Sequence, residues 1–150
     1  MNVQEMTTPE CQAMLEANSI CHLGCIAAGK PYIVPLQYIY RGGMLYAFSM
    51  PGKKIESLRA DPHLCLQLDQ VETKQEWQSV LVEGRYQELP DDEKWHGEHM
   101  YAWSLLQKKN DWWEPGAYKP AGMEPPKPAS LPVFFTIEIE TLSGRRARND

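Results

Sequence analysis

The sequence lacks several features that would place it in common protein classes. Its 150 residues contain no apolar run near the roughly 20 residues that a membrane-spanning helix needs. Residues 1–12 are polar, without the basic and then apolar pattern of a signal peptide. Lys and Arg number 15 against 20 Asp and Glu, and the net charge of −5 lacks the basic face that binding nucleic-acid phosphates requires. We therefore expect a cytoplasmic protein without nucleic-acid or membrane partners.

Cysteine is also scarce, with only Cys11, Cys21, Cys25 and Cys65. In a cytoplasmic protein, scattered cysteines are expected to be free thiols. Cys21, His22 and Cys25 offer three zinc-ligand types, but in a strand His22 points away from the two cysteines. A zinc site needs four well-placed ligands, so we expect no metal.

Catalytic motifs are missing as well. The sequence has no Walker-type phosphate loop, no GxGxxG turn and no nucleophile elbow. It therefore identifies no catalytic side chain.

Hydrophobic periodicity and turn signals predict three helices and six strands. Thr7 and Glu10 have the spacing of a capping box at the first helix. In the third helix, an apolar face of Trp95, Met100, Trp103 and Leu106 is expected. The predicted helices cover residues 7–18, 52–62 and 90–109. Three strands lie within residues 19–50, with Gly-bearing turns at 27–31 and 41–43, and the others cover residues 63–72, 77–89 and 133–144, before a basic tail at 145–150.

Few helices and hairpin-length connections predict a mainly β protein with an antiparallel sheet. Closing that sheet into a barrel would remove its exposed edges. Half of the 12 prolines fall between Pro115 and Pro132, which predicts a long loop at about 111–132. We expect a single domain over residues 1–150.

The strand around residues 33–40 carries apolar side chains on both faces, so we expect both faces to be covered. Pro35 cannot donate a backbone hydrogen bond to a sheet ladder. Its presence predicts either a bulge or an edge that faces something other than a neighbouring strand.

The stretch "FSMPGKKIESLRADP", residues 48–62, places Lys53 and Lys54 at a helix start. Free N–H groups and a positive dipole end make a helix start suitable for an anion. Ser49 can add a hydroxyl donor. The alternative is a solvated surface helix that begins with two lysines.

A second candidate segment is "WQSVLVEGR", residues 77–85. Trp77 offers a flat apolar wall, while Gln78 and Ser79 offer hydrogen-bond donors. The alternative is an edge strand with a polar beginning.

The runs "HLGCIAAGKPYIVPLQYIYRGGMLYAFSMPGKKIESLRADPHLCLQL", "WQSVLVEGR" and "FFTIEIETLSGRRAR" together resemble the FMN-binding split-barrel superfamily. That superfamily includes the pyridoxamine 5′-phosphate oxidases, and the likeness is closer to its branch of nitroimidazole-resistance proteins. The resemblance implies a six-stranded antiparallel split β-barrel with short flanking helices, and a homodimer with FMN at the subunit interface. It assigns Val34, Pro35, Leu36 and Gln37 to the flavin ring, Phe48, Ser49, Lys53 and Lys54 to the phosphate segment, and Trp77, Gln78 and Ser79 to a further cofactor contact.

The sequence departs from the oxidases of this superfamily at several of these positions. Lys53 stands where those oxidases have arginine, and Ser79 where they have glutamine. The basic end of the chain does not match their substrate-binding arginine motif. Phe48 lies near the position of a histidine that is common in the nitroimidazole-resistance proteins. These departures argue against vitamin B6 oxidation and against that specific resistance activity.

The resemblance implies an FMN-dependent oxidoreductase that passes electrons from a reduced nicotinamide to a small oxidant such as a nitroaromatic or a quinone. One alternative is a non-enzymatic flavin-binding protein, such as a redox sensor or carrier. Another keeps the barrel but binds haem, with His22 or His63 as an axial ligand.

Overall fold

A computed structural model describes residues 1–107 and 131–149. The proline-rich loop predicted at 111–132 therefore lies outside the described residues up to position 130. Within the described ranges, no helix is long and apolar enough to cross a membrane. The described elements are β1 (Asn2–Glu5), α1 (Thr8–Ala17), β2 (Ile20–Ala27), β3 (Lys30–Arg41), β4 (Met44–Ser49), α2 (Lys53–Ala60), β5 (His63–Thr73), β6 (Glu76–Glu88), α3 (His96–Leu106) and β7 (Val133–Arg148).

Six of the strands close into an antiparallel barrel, as predicted. Their order is β7-β4-β3-β2-β5-β6, and β6 pairs back to β7. The seventh strand, β1, adds to β7, with Asn2 opposite Arg148 and Glu5 opposite Arg145. The predicted count was one strand short because all four residues of β1 are exposed, so no apolar alternation marks it in the sequence.

The prediction of a basic tail after residue 144 is wrong. Strand β7 continues to Arg148, because its last residues pair with β1 on one side and with the start of β6 on the other. Arg146, for example, lies opposite Gln78 of β6 and Gln4 of β1. The charged residues 145–148 look like a solvated tail in the sequence, because the two segments that supply their backbone hydrogen bonds are distant in the chain.

The barrel interior and two helices form one hydrophobic core. Helix α1 begins with the predicted capping box, in which the Thr7 N–H donates to a Glu10 carboxylate oxygen at 2.9 Å. Helices α1 and α2 both bury their apolar faces against the inward-facing strand residues. The helix residues in this core are Cys11, Met14 and Leu15 of α1 with Ile55 and Leu58 of α2.

Two tight turns set the register of β2, β3 and β4. Ala28 and Gly29 have φ of 52° and 76°, and Gly42 and Gly43 have φ of 61° and 80°. Positive φ at both central residues is typical of the two-residue hairpin turns that match the twist of antiparallel strands. The predicted Gly-bearing turns are therefore confirmed.

Helix α3 is shorter than predicted, and only part of its predicted apolar face is buried. It runs from His96 to Leu106 and packs Ala102 and Leu106 over a second cluster on the outside of the barrel. Met100 and Trp103, predicted to face inward, are each 45% exposed. The predicted residues Trp95, at the N-cap, and Leu106 do dock, together with Ala102, whose small side chain allows close approach to the barrel.

Gly84 is required for the contact between β6 and β7. A Cβ atom at this position would lie 2.5 Å from the Glu138 carbonyl oxygen and 2.9 Å from Ile137 Cγ2. We predict that Gly84→Ala lowers the free energy of unfolding by about 1–3 kcal/mol, because backbone must move to relieve the clash. Urea denaturation measures this change.

The matched control is Gly97→Ala in α3, where a Cβ would meet nothing within 4 Å. This variant should keep or raise the stability, by up to about 1 kcal/mol, because alanine restricts the unfolded chain. Equal stability of the two variants would contradict the predicted clash.

Candidate functional site

The barrel opens between β3 and β4. These strands pair only from Tyr38 opposite Ala47 to Arg41 opposite Met44. Earlier in β3, residues 30–37 pair with β2, and no strand in the described part of the chain pairs with their other side. Strand β4 meanwhile continues to Ser49 along β7. We call this opening the split; its two lips are residues 31–37 of β3 and Phe48–Ser49 of β4.

Pro35 lies on the β3 lip with its ring nitrogen facing the split. The Tyr38 N–H donates to the Ser19 carbonyl at 2.8 Å, on the β2 side. Backbone groups of successive strand residues point to alternate sides, so position 35 faces away from β2. The missing N–H of Pro35 therefore costs no ladder hydrogen bond, and the predicted strand edge is confirmed.

The predicted cover on both faces of this strand is wrong for its first half. Ile33 is 67% exposed and Pro35 is exposed. Gln37 and Ile39 are buried on that outer face, and Ile39 lies in the cluster under α3. The other predicted ring contacts are half-buried at Val34 and buried at Leu36 and Gln37.

Lys54 lies at the β4 lip. Its side chain is buried, and its Nζ donates to Ser49 Oγ at 3.0 Å. The Ser49 hydroxyl donates in turn to the Met50 carbonyl at 3.2 Å. Gly52 at the N-cap of α2 supplies no side-chain acceptor for the first-turn N–H groups. A buried ammonium, a hydroxyl and a helix start together favour an anionic ligand.

Lys53 points in a different direction from Lys54. It is exposed, and its Nζ lies 4.4 Å from the centre of the Tyr32 ring on the β3 side of the split. An ammonium over an aromatic face is a favourable cation–π contact. The two lysines therefore contact opposite lips, one through Ser49 and the other through Tyr32.

The remaining predicted contacts, Trp77, Gln78 and Ser79, are not brought to the split within one chain. They begin β6, which is three strands from β3 through β2 and β5, or about 14 Å across the sheet. Ser79 Oγ accepts a hydrogen bond from Gln67 Nε2 at 3.1 Å. Trp77 borders two surface depressions of about 360 and 560 Å³.

Sequence reasoning missed the arginines beside this segment. Arg145 lies opposite Ser79 and Arg146 opposite Gln78 in the β6–β7 ladder. Arg146 also forms an ion pair with Glu10 of α1. The pairing is visible only once β7 is known to extend past residue 144, so the sequence carried no local signal for it.

The two histidines considered as haem ligands lie on the outside of the barrel. His22 is exposed opposite Pro35, and His63 Nδ1 is 2.8 Å from an Asp61 carboxylate oxygen.

The thiols of the inner face are poor nucleophiles. Burial raises the pKa of Cys21 to about 12, so this group stays protonated at neutral pH.

Helix α2, which presents both lysines, is tied to the barrel at its other end. Arg59 Nε donates to Glu88 Oε1 at 2.7 Å and Arg59 Nη2 to Glu88 Oε2 at 3.1 Å. The Tyr86 hydroxyl donates to the same carboxylate at 2.7 Å. The hydrogen bonds from Arg59 lower the pKa of Glu88, because they favour its charged form.

A six-stranded antiparallel barrel that is open between two strands beside a helix start defines the split-barrel class. The chain belongs to the pyridoxamine 5′-phosphate oxidase family, whose model matches residues 7–146. This match confirms the resemblance inferred from the sequence.

Two relatives align with almost the whole chain. A crystal structure of an FAD-binding protein from Mesorhizobium loti is 44% identical, with a TM-score of 0.79 and 99% of this chain and 100% of that chain covered. An uncharacterised protein of Rhizobium meliloti (strain 1021) is 44% identical over 98% of this chain and 97% of its own length.

A more distant relative shares the fold alone. A Bacteroides thetaiotaomicron protein provisionally named a 5-nitroimidazole antibiotic resistance protein is 18% identical, with a TM-score of 0.67 over 99% of this chain and 93% of its own.

We predict that Glu88→Gln lowers the free energy of unfolding at pH 7 by about 1 kcal/mol, as expected for a bidentate ion pair that is partly exposed. The pKa of Glu88 is lowered in the folded state, so its contribution is present above the unfolded pKa and is lost as the pH falls through the folded pKa. Urea denaturation from pH 7 to pH 3 should show the variant and the parent converging in acid. Glu93→Gln, at an exposed position, is the control. A stability difference that is independent of pH would contradict the ion-pair explanation.

Proposed function

We propose that this protein is a flavin-dependent oxidoreductase whose flavin lies in the split. The observation that carries this proposal is the buried contact between Lys54 Nζ and Ser49 Oγ at the start of α2, beside the open edge of β3. A phosphate is the anion that suits this arrangement, and the adjacent lip suits a flat ring.

The residues present fit the FMN half of a flavin nucleotide. Lys54 would contact its phosphate as a buried point charge, and the Ser49 hydroxyl would exchange its bond to the Met50 carbonyl for one to the phosphate. The lip at residues 34–37 would lie against the ring, where Pro35 leaves no backbone N–H unpaired at the open edge. Phe48 extends the β4 lip and packs on Phe134, with ring centres 5.9 Å apart.

The bound flavin would supply the electron transfer. The chain would bind and orient it, and the proposed reaction passes electrons from a reduced nicotinamide to a small oxidant such as a nitroaromatic or a quinone. The 44% identical relative named as an FAD-binding protein supports a flavin ligand.

We further propose a homodimer with the flavin at the subunit interface. The outer faces of β2, β5 and β6 expose Ile20, Val71 and Leu81, and the described helices leave these side chains uncovered. Exposed apolar side chains on adjoining strands are typical of a protein contact. A two-fold contact through this face would bring Trp77–Ser79 of one subunit towards the split of the other, which explains why one chain alone does not unite the predicted site.

We predict that the purified protein is yellow and that Lys54→Ala weakens FMN binding at least tenfold, because a charge-assisted hydrogen bond contributes about 1.5–3 kcal/mol. Binding is measured by quenching of flavin fluorescence. Riboflavin, which lacks the phosphate, should lose little affinity. Lys30→Ala, an exposed lysine on the β2–β3 turn, is the matched control.

Equal losses of FMN and riboflavin affinity in Lys54→Ala would count against the phosphate role. Colourless protein that binds no added flavin would remove the proposed function. Protein that holds flavin but leaves NADH and NADPH unoxidised with quinone and nitroaromatic acceptors would be a carrier or sensor rather than an enzyme.

We predict that Leu81→Asp converts the dimer to a monomer and weakens flavin binding, because a carboxylate would be buried at the contact. Light scattering coupled to gel filtration measures the mass. Met100→Asp places the same charge at a similarly exposed apolar residue on α3 and should leave the dimer intact. A parent protein that is monomeric at micromolar concentration, or two variants with the same mass, would refute this interface.

A further inference from the structure

A polar trough lies at one end of the barrel, between helix α1 and the inner faces of β5, β6 and β7. Its volume is about 310 Å³. Leu68 of β5 lies opposite Val80 of β6, and both side chains belong to the core inside the barrel. Because side chains alternate along a strand, the residues two positions away continue the same inner face. Towards the β5–β6 hairpin, those residues border the trough.

The inner face ends there in a row of polar side chains. Gln70 lies opposite Gln78, and Gln78 lies opposite Arg146, so the row crosses three strands. Directly opposite side chains on one face of a sheet are close neighbours. Arg148, two residues beyond Arg146, extends this face, and all four side chains line the trough. Two guanidinium groups and two amide groups therefore offer hydrogen-bond donors to one space.

Arg146 has an N–H group that no described residue uses. Its side chain is only 20% exposed, and its Nη1 forms an ion pair with a carboxylate oxygen of Glu10. The Nε atom is buried, and no group in the described part of the chain accepts a hydrogen bond from it. A buried N–H without an acceptor is costly. This arrangement favours an acceptor that comes from outside the chain.

Glu10 is fully engaged and balances only one of the two guanidinium charges. Its Oε1 accepts the Thr7 N–H at 2.9 Å, and its Oε2 holds Arg146. Arg148 is exposed, and its guanidinium has no hydrogen bond or ion pair within residues 1–107 and 131–149. The trough therefore has an excess positive charge in a protein with a net charge of −5.

Helix α1 leaves room above these donors. Ala13 and Ala17 line the trough one helical turn apart, and their side chains are small. The carboxylates of Glu72 and Glu76 line the adjoining depression of about 360 Å³, towards the β5–β6 hairpin. The part of the trough beside α1 is therefore the part that suits a negative group.

We propose that this trough binds a small organic acid through its carboxylate or phosphate group. One oxygen of that group accepts the Arg146 Nε–H, as in the paired hydrogen bonds that guanidinium groups form with oxyanions. Arg148 balances the charge, and the Gln70 amide donates a further hydrogen bond. Ala13 and Ala17 border the rest of the ligand. A volume of about 310 Å³ is at the small end of ligand pockets, which suits a small metabolite.

This site is separate from the proposed flavin site. Arg146 and Gln78 face the trough, whereas Ser79 alternates to the outer face of β6, where it lines a different depression with Arg145. The inference therefore goes beyond the flavin function and does not depend on it.

The test follows the Arg146 Nε–H signal in nitrogen–proton NMR spectra of the purified protein, assigned with Arg146→Lys. Inorganic phosphate and succinate are the probes, each titrated at constant ionic strength against sodium chloride. At least one of them should shift the signal along a saturable curve. Arg148→Ala should weaken that binding at least about fivefold, because it removes the excess charge. Ala13→Trp should weaken it at least as much, because the indole would fill the trough.

Two control variants make the same changes next to the trough. Arg145→Ala removes an equal charge from the other face of β7, and Gln12→Trp adds an indole at an exposed neighbouring position of α1. Both should change the dissociation constant by less than about twofold. All four substituted residues are exposed, so the variants are expected to fold, which circular dichroism verifies.

The outcomes decide the proposal directly. Tighter binding of phosphate would assign a phosphorylated ligand, and tighter binding of succinate a carboxylic acid. An Arg146 signal that neither anion shifts in a saturable way would overturn the site, and the trough would then hold only water. Equal losses in Arg148→Ala and Arg145→Ala would also overturn it, because the effect would then come from net charge alone. Neither result would alter the flavin proposal, whose tests do not use these residues.

Discussion

The divergence of β3 and β4 after a short pairing organises the rest of this molecule. The two strands share a ladder only between Tyr38 and Arg41, and then β3 follows β2 while β4 follows β7. On the far side of the barrel β6 pairs back to β7, and the edge of β3 at residues 31–37 borders the opening. Pro35 is tolerated there because position 35 faces the opening, and the two lysines at the start of α2 contact its two lips.

The chain direction of α2 places positive charge at the split, because the helix begins there. Its first turn brings two ammonium groups to the opening in a protein with a net charge of −5. Its last turn is fastened by Arg59 to Glu88 of β6. The core contacts of Ile55 and Leu58 fix the rotation of the helix, so that adjacent lysines contact different lips. Although Lys53 and Lys54 are adjacent in the sequence, their ammonium groups therefore point in different directions.

The outer surface of the barrel is covered by a helix on one side and exposes apolar side chains on the other. Helix α3 covers Ile39 and Phe134 on the β3, β4 and β7 side. The β2, β5 and β6 side has no such helix among the described residues and exposes apolar side chains instead. This asymmetry agrees with the proposed interface. The distance between Trp77 and the lysines within one chain follows from the strand order, which places β2 and β5 between β3 and β6.

The sequence alone determined the elements whose signals are local. The capping box at Thr7, the two hairpin turns, the inward stripe of Cys11, Met14 and Leu15 and the edge position of Pro35 all follow from spacing and backbone chemistry. The antiparallel barrel followed from short connections, and the family from the order of three segments.

Tertiary structure alone decided the features that depend on distant pairing. The exposed strand β1 and the extension of β7 through Arg145 and Arg146 exist because the two ends of the chain meet, and no local pattern encodes that meeting. The buried face of α3 and the opposite directions of Lys53 and Lys54 were likewise set by packing. Periodicity reports which residues share a face, but the neighbour against which each face packs depends on the whole chain.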